Sequence, residues 1–132
     1  MRVLGIDVGE KKIGLAVGDS GSKFVFARPP LFVRNWGMTW PILQRLCDHD
    51  AIDTILVGWP LNSKGQATAQ TKTVGQFVAQ LKTTINLPVE TIDERHSTQA
   101  VKREQQGRKL ARGQEDSLAA QLLVEAWLAK QS

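Results

Sequence analysis

The sequence predicts an α/β domain built on a mixed five-stranded sheet, three antiparallel strands followed by parallel additions, with helices on both faces. Three observations carry that reading. The N-terminal part holds three strand-like runs on short connections, which suits an antiparallel meander. The remainder alternates apolar strand-like runs with helical periodicity, an order that requires right-handed crossovers and a sheet covered on both sides. Nothing divides the chain: its 132 residues, 42% hydrophobic and 23% charged, can bury a sizeable core as one domain over 1–132, without repeats, low-complexity tracts or a linker.

Each element has its own justification. Val3–Asp7 is a short buried strand, and Lys12–Asp19 alternates apolar with polar or small residues as a second strand after a turn at Gly9–Lys11. Phe24–Val33 is a third strand, broken or bulged at Pro29–Pro30, because proline is tolerated only at an edge or an irregularity. Thr39 is placed to cap a first helix with Pro41 in its first turn and an apolar stripe of Ile42, Leu43, Leu46 and Cys47. Asp53–Gly58 reads as a buried parallel strand. After the loop WPLNSKGQ, a helix over about 67–84 spaces Val74, Phe77, Val78 and Leu81 along one face. Pro88–Ile92 is a fifth strand, a helix starts near Ser97, and a last helix covers about 114–130.

Charge adds a location. The net charge is +4, and the segment from Lys102 to Arg112 holds all of it: Lys102, Arg103, Arg108, Lys109 and Arg112 face only Glu104, while the rest of the chain is neutral. A short basic stretch suits contact with a phosphate backbone, or is simply a solvated loop. Cys47 is the only cysteine, which excludes an internal disulfide and suits a reducing, cytoplasmic setting. No run approaches the roughly eighteen apolar residues of a membrane span, and the N-terminus lacks a signal-peptide pattern, so no membrane partner is expected.

Three acids stand where chemistry gathers in open α/β sheets, at the carboxyl ends of strands. Asp7 closes the first strand, Asp93 and Glu94 follow the fifth, and Asp116 opens the last helix on the face it shares with Ala119, Ala120, Leu123 and Trp127. Converging carboxylates repel unless a cation neutralises them, and oxygen-only donors suit a hard divalent ion. Each acid also has an ordinary reading: Asp116 complements a helix dipole, Asp93 or Glu94 ends a strand in a turn, and Asp7 accepts bonds from the Gly9 turn. Gly5 and Gly9 either open an approach to Asp7 or serve the tight turn.

With these residues in place, the chain resembles the YqgF, or RuvX, proteins, bacterial RNase H-like nucleases described as Holliday junction resolvases and as pre-16S rRNA processing nucleases. The resemblance runs through GIDVGEKKIGLAVGD, ILVGWPLNSKG, TIDERHSTQA and EDSLAAQLLVEAWL, in that order and over nearly the whole chain. It implies an RNase H-like fold, Mg²⁺ or Mn²⁺ as cofactor, and phosphodiester hydrolysis leaving a 5′-phosphate and a 3′-hydroxyl. Asp7, Glu94 and Asp116 would be both catalytic and metal-binding, with Asp93 the alternative second ligand. Many RNase H-like nucleases carry an acid at the end of the fourth strand, where this chain reads VGWPLN; the resemblance implies that the acid after the fifth strand takes its place.

Arg95, Lys102, Arg103, Arg108, Lys109 and Arg112 would contact nucleic acid, either structured RNA or branched DNA, and ribosomal precursor particles are the implied setting. Arg95 could instead hold the neighbouring carboxylates. Asp19 reads as strand-end structure, His96 as a surface or packing residue, Ser97 as a helix cap and Trp59 as the tryptophan most open to base stacking, while the GWPLNSKG loop either takes a phosphate at the following helix start, with Lys64 beside it, or is an ordinary strand-to-helix turn. A monomer or weak homodimer is expected, since symmetric junction cutting would need two sites. Trimming the 5′ end of pre-16S rRNA is the first reading and junction resolution the second. A non-catalytic RNA-binding module is the alternative of another class, while a two-lobed phosphotransferase would need a second lobe that 132 residues do not supply.

Overall fold

The computed structural model describes residues 1–32, 35–94 and 114–131, without the side chains of 114–116. The strands are β1 Arg2–Val8, β2 Lys12–Asp19, β3 Val25–Phe32, β4 Thr54–Trp59 and β5 Val89–Asp93. The helices are α1 Thr39–His49, α2 Ala69–Thr84 and α3 Gln114–Lys130. One sheet runs in the order β3-β2-β1-β4-β5. β1 pairs antiparallel with β2, and β2 with β3, while β4 runs parallel to β1 and β5 to β4. This is the mixed sheet that the sequence predicts. The helix expected near Ser97 and the whole basic segment lie outside the described residues.

Alternation along β1 divides the core in two. Leu4, Ile6 and Val8 join Ile13, Leu15, Ile55 and Val57 beneath Leu43 of α1 and Val74, Phe77 and Leu81 of α2. Val3, on the opposite face, joins Ala16, Leu56 and Ile92 beneath Ala120, Leu123, Val124 and Trp127 of α3. β1 and β4 are thus covered on both faces, which explains why they read as continuous apolar runs rather than as alternating ones. No helix among the described residues is long and apolar enough to cross a membrane.

Helix α3 comes unusually close to the sheet. A methyl group at Gly5 would lie 3.0 Å from the Ala120 carbonyl oxygen and would overlap Val124, and one at Gly18 would overlap Val124 from the next strand. Val124 therefore sits in a notch cut by two glycines on adjacent strands. Gly5 serves this packing, and a methyl group at Gly9 would press on the Lys12 carbonyl that its own amide bonds at 2.9 Å. The glycines beside Asp7 thus admit a helix and close a hairpin.

Pro29 and Pro30 remain inside β3, at a bulge. The register passes from Ile13↔Leu31 to Leu15↔Arg28, so β3 spends one residue more than β2 there. The side chain of Ser117, fully buried in the first turn of α3, occupies the gap. Its Oγ accepts from the Leu15 amide at 3.2 Å and donates to the Arg28 carbonyl at 2.7 Å, replacing the missing ladder contact and tying α3 to β2 and β3 together.

Two expectations for α1 are corrected. Thr39 is its first residue rather than its cap, because a 3₁₀ turn over Trp36–Met38 runs straight into the helix; its buried hydroxyl has no hydrogen-bond partner among the described residues. The buried stripe is Thr39, Leu43 and Cys47, while Ile42 is exposed, because the helix presents one row to Phe77 and its neighbours. Trp36 and Trp40 flank the Phe77 ring at 5.4 and 5.0 Å between centroids.

Ser117→Ala should destabilise the chain by about 1–3 kcal/mol, because it strands a buried amide and a buried carbonyl together. Urea unfolding measures this, and a midpoint equal to that of the unsubstituted chain would show that the hydroxyl does not satisfy the bulge.

Candidate active site at the carboxyl ends of β1, β4 and β5

Asp7 follows Val3 and Gly5 along β1 on the α3 face, toward the first turn of that helix, and it is half-buried. The backbone beside it is held from two directions. The Val8 carbonyl accepts from Gln70 Nε2 at 2.8 Å, and the Gly9 amide closes the β1–β2 turn. Gln70 carries no signal in the sequence: it is one polar residue among several in the first turn of α2, and only the docking of that turn against β1 gives it a partner.

Glu94 stands one residue past β5. Its amide donates to the Trp59 carbonyl at 3.1 Å, which extends the β4–β5 ladder by one step. Its side chain lies over Gly58 and hydrogen-bonds with Asp7. Burial, then the bond to Asp7, then the charges of Asp7 and Asp93 push the Glu94 carboxyl up to about 8. Asp93 pairs in register with Trp59, whose ring packs toward α2, so strand alternation sets Asp93 on the opposite face of the sheet from Ile92 and Glu94. Of the two acids after the fifth strand, Glu94 is the one brought to Asp7.

Asp116 belongs by backbone to the first turn of α3, immediately before Ser117. The Ser117 contacts press that turn against Leu15, whose neighbour Gly14 pairs with Asp7. Among the described residues no three acids, histidines or cysteines form a metal-binding group. Arg95, Lys102, Arg103, Arg108, Lys109 and Arg112, with His96 and Ser97, lie outside the described residues.

Other candidates fall elsewhere. Asp19 sits at the far end of the sheet, paired with Arg2, and accepts from the Gly21 amide at 3.0 Å. That bond, with help from the N-terminal ammonium 3.8 Å away, holds its carboxyl below the usual range. It is strand-end structure. Trp59 is half-buried against the α2 core, with Gly75 beneath its ring. In the WPLNSKGQ loop, Asn62 Oδ1 accepts from the amides of Lys64 and Gln66, and Thr68 and Thr71 form a reciprocal cap on α2, with Thr71 also bonding the Pro60 carbonyl. These bonds fix the loop as a strand-to-helix connection. The Cys47 thiol is buried in the α1 core and is pushed up to about 11 by that burial, so it is inert.

The raised Glu94 carboxyl has a consequence for stability. The folded chain holds that proton more tightly than the unfolded chain, where a glutamate titrates near 4.5. The resulting stabilisation is full below that value and is lost as pH rises through about 8. Metal-free protein should therefore melt at progressively lower temperature over that interval, and Glu94→Gln should flatten the trend. Calorimetric melting at a series of pH values measures both, and a midpoint that rises across the interval would contradict the shared proton.

The chain matches the RuvX family, described as Holliday junction resolvase, over residues 1–130. It is 31% identical over 134 residues to a candidate pre-16S rRNA nuclease of Maridesulfovibrio salexigens, covering 98% of this chain and 99% of that one. It is 36% identical over 136 residues to one of the same description from Pseudomonas aeruginosa, covering 97% and 92%. Among solved structures, Thermus thermophilus RuvC superposes with a TM-score of 0.60 at 16% identity, covering 99% of this chain and 96% of RuvC. RuvC in complex with a Holliday junction substrate superposes at 0.62, also at 16% identity, covering 100% and 97%. The fold is the RNase H-like fold of these resolvases. With a family match from end to end and relatives above 30% identity over nearly their full length, the chain belongs to the RuvX family.

Proposed function

We propose that residues 1–132 act as one divalent-metal-dependent nuclease that hydrolyses phosphodiester bonds, and that its task is trimming the 5′ end of pre-16S rRNA. The observation that carries the chemistry is the meeting of Asp7 and Glu94 above the end of β4. Two carboxyls within hydrogen-bonding reach at neutral pH must share a proton or gain a cation. The donors are oxygens, which suit Mg²⁺ or Mn²⁺. The site is therefore one that such an ion would stabilise, and Asp7, Glu94 and Asp116 are the residues that would hold it.

Bound Mg²⁺ or Mn²⁺ supplies Lewis acidity toward a phosphodiester and its attacking water. The chain's own residues do the rest. Asp7, anchored through the Val8 carbonyl, gives the fixed carboxylate. Glu94, released from its proton, gives the second. Asp116 approaches from the first turn of α3. Arg95, Lys102, Arg103, Arg108, Lys109 and Arg112 would hold the phosphate backbone and position it without reading sequence.

The rRNA substrate rests on relatives described as candidate pre-16S rRNA nucleases, and it would place the protein with ribosomal precursor particles in the cytoplasm. The second reading, resolution of four-way DNA junctions, is favoured by the family description and by the fold shared with RuvC. It would need two active sites acting together.

Asp7→Asn should reduce Mn²⁺-dependent cleavage by more than about 100-fold, beyond the 10–100-fold typical of outer-sphere partners, while nucleic-acid binding persists. Cleavage assays on a precursor rRNA 5′ segment and on a four-way DNA junction, run in parallel, test the mechanism and the substrate together. Undiminished cleavage by Asp7→Asn would sink the metal-site assignment, and cleavage confined to the junction would transfer the assignment to DNA.

A further inference from the structure

We infer that Gly58 is a positioning residue: the missing side chain at the end of β4 is what lets Glu94 of β5 reach across that strand to Asp7 of β1. The inference deepens the metal-site reading above and rests on it.

β4 lies between β1 and β5, so a carboxylate after β5 is two strands away from one on β1. Adjacent strands stand about 4.8 Å apart, and a glutamate must lean across the middle strand to close that gap. Register puts Gly58 directly in the path. Ile6 pairs with Val57 and Gly58 with Ile92, so Gly58 is level with Asp7 and Ile92 and faces α3 with them. A Cβ there would lie 2.9 Å from Glu94 Cγ and nearer still to Glu94 Oε1, and 2.8 Å from Leu123 Cδ1 of α3. Real Cβ atoms essentially never come so close.

The backbone does not explain this glycine. Among the described glycines only Gly65 has a positive φ, so any residue could adopt the Gly58 conformation. What the position needs is space, and two groups fill that space: the Glu94 carboxyl and the Leu123 methyl. The Glu94 side chain could swing away from an added methyl group, but only by leaving Asp7. Leu123 is fully buried in the core beneath α3. The site thus takes its second carboxylate from β5 through a gap in β4.

Packing against Leu123 is a competing reason for the glycine, and the two separate experimentally. The full chain is compared with Gly58→Ala, Leu123→Ala and the double variant by calorimetric titration with Mn²⁺ alone, alongside circular dichroism to confirm folding. Gly58→Ala should weaken Mn²⁺ binding by at least about tenfold, in the range seen when groups orienting metal ligands are lost. Leu123→Ala alone should bind like the unsubstituted chain. The double variant, in which the helix contact is relieved, should remain as weak as Gly58→Ala, because the collision with Glu94 persists; it also serves if Gly58→Ala alone fails to fold. Full recovery of binding in the double variant would overturn the inference and leave Gly58 a packing residue. Unchanged binding by Gly58→Ala would overturn it as well. Failure of the unsubstituted chain to bind Mn²⁺ would instead strike the underlying metal-site reading.

Discussion

The close seating of α3 on the sheet is the constraint on which the rest depends. Val124 enters a notch made by Gly5 and Gly18, and Ala120 lies over Gly5 with only backbone beneath it. Ser117 then plugs the bulge between β2 and β3. A helix held at several points along its length, by missing side chains and by one inserted hydroxyl, has little freedom to slide or rotate. Its first turn therefore has a defined place at the end of the sheet where β1 delivers Asp7. The stability of the helix and the position of Asp116 have the same cause.

At that end the molecule accepts a local cost. Glu94 is buried beside Asp7, and burial first, then the bond to Asp7 and the neighbouring charges, push its carboxyl up. Close packing elsewhere supports this arrangement. β1 and β4 are buried on both faces, α2 clamps the Val8 carbonyl through Gln70, and the β4–β5 ladder runs on to the Glu94 amide. These contacts fix the backbone from which both carboxyls project, as pre-organised charged sites generally require.

Much of the fold could be read along the chain, because burial on two faces leaves a plain mark. The apolar run of β4, the i, i+3, i+4, i+7 spacing of α2 and the small apolar face of α3 each report a side-chain environment by residue type alone. Asp7 and Asp116 stood out for the complementary reason: carboxylates beside apolar runs need an explanation. The details that misled were those set by neighbours distant in sequence. Thr39 looks like a cap until a 3₁₀ turn runs into it, and Trp59 looks exposed until Gly75 of α2 is placed beneath it. Pro29–Pro30 marks an irregularity, but nothing local says that a serine nearly ninety residues later fills it.

By itself the sequence determined the alternation of strands and helices, the acids at the strand ends and the family they indicate. These follow from periodicity and residue chemistry, which act over a few positions. Only the tertiary structure brought Glu94 rather than Asp93 beside Asp7, seated α3 over Gly5, set Gly58 against Glu94 and Leu123, and gave Gln70 and Ser117 their partners. Those outcomes depend on strand order and register. Register decides which face a residue occupies and who stands beside it, and a glycine or a serine carries no trace in its own neighbourhood of the side chain that will arrive from across the sheet.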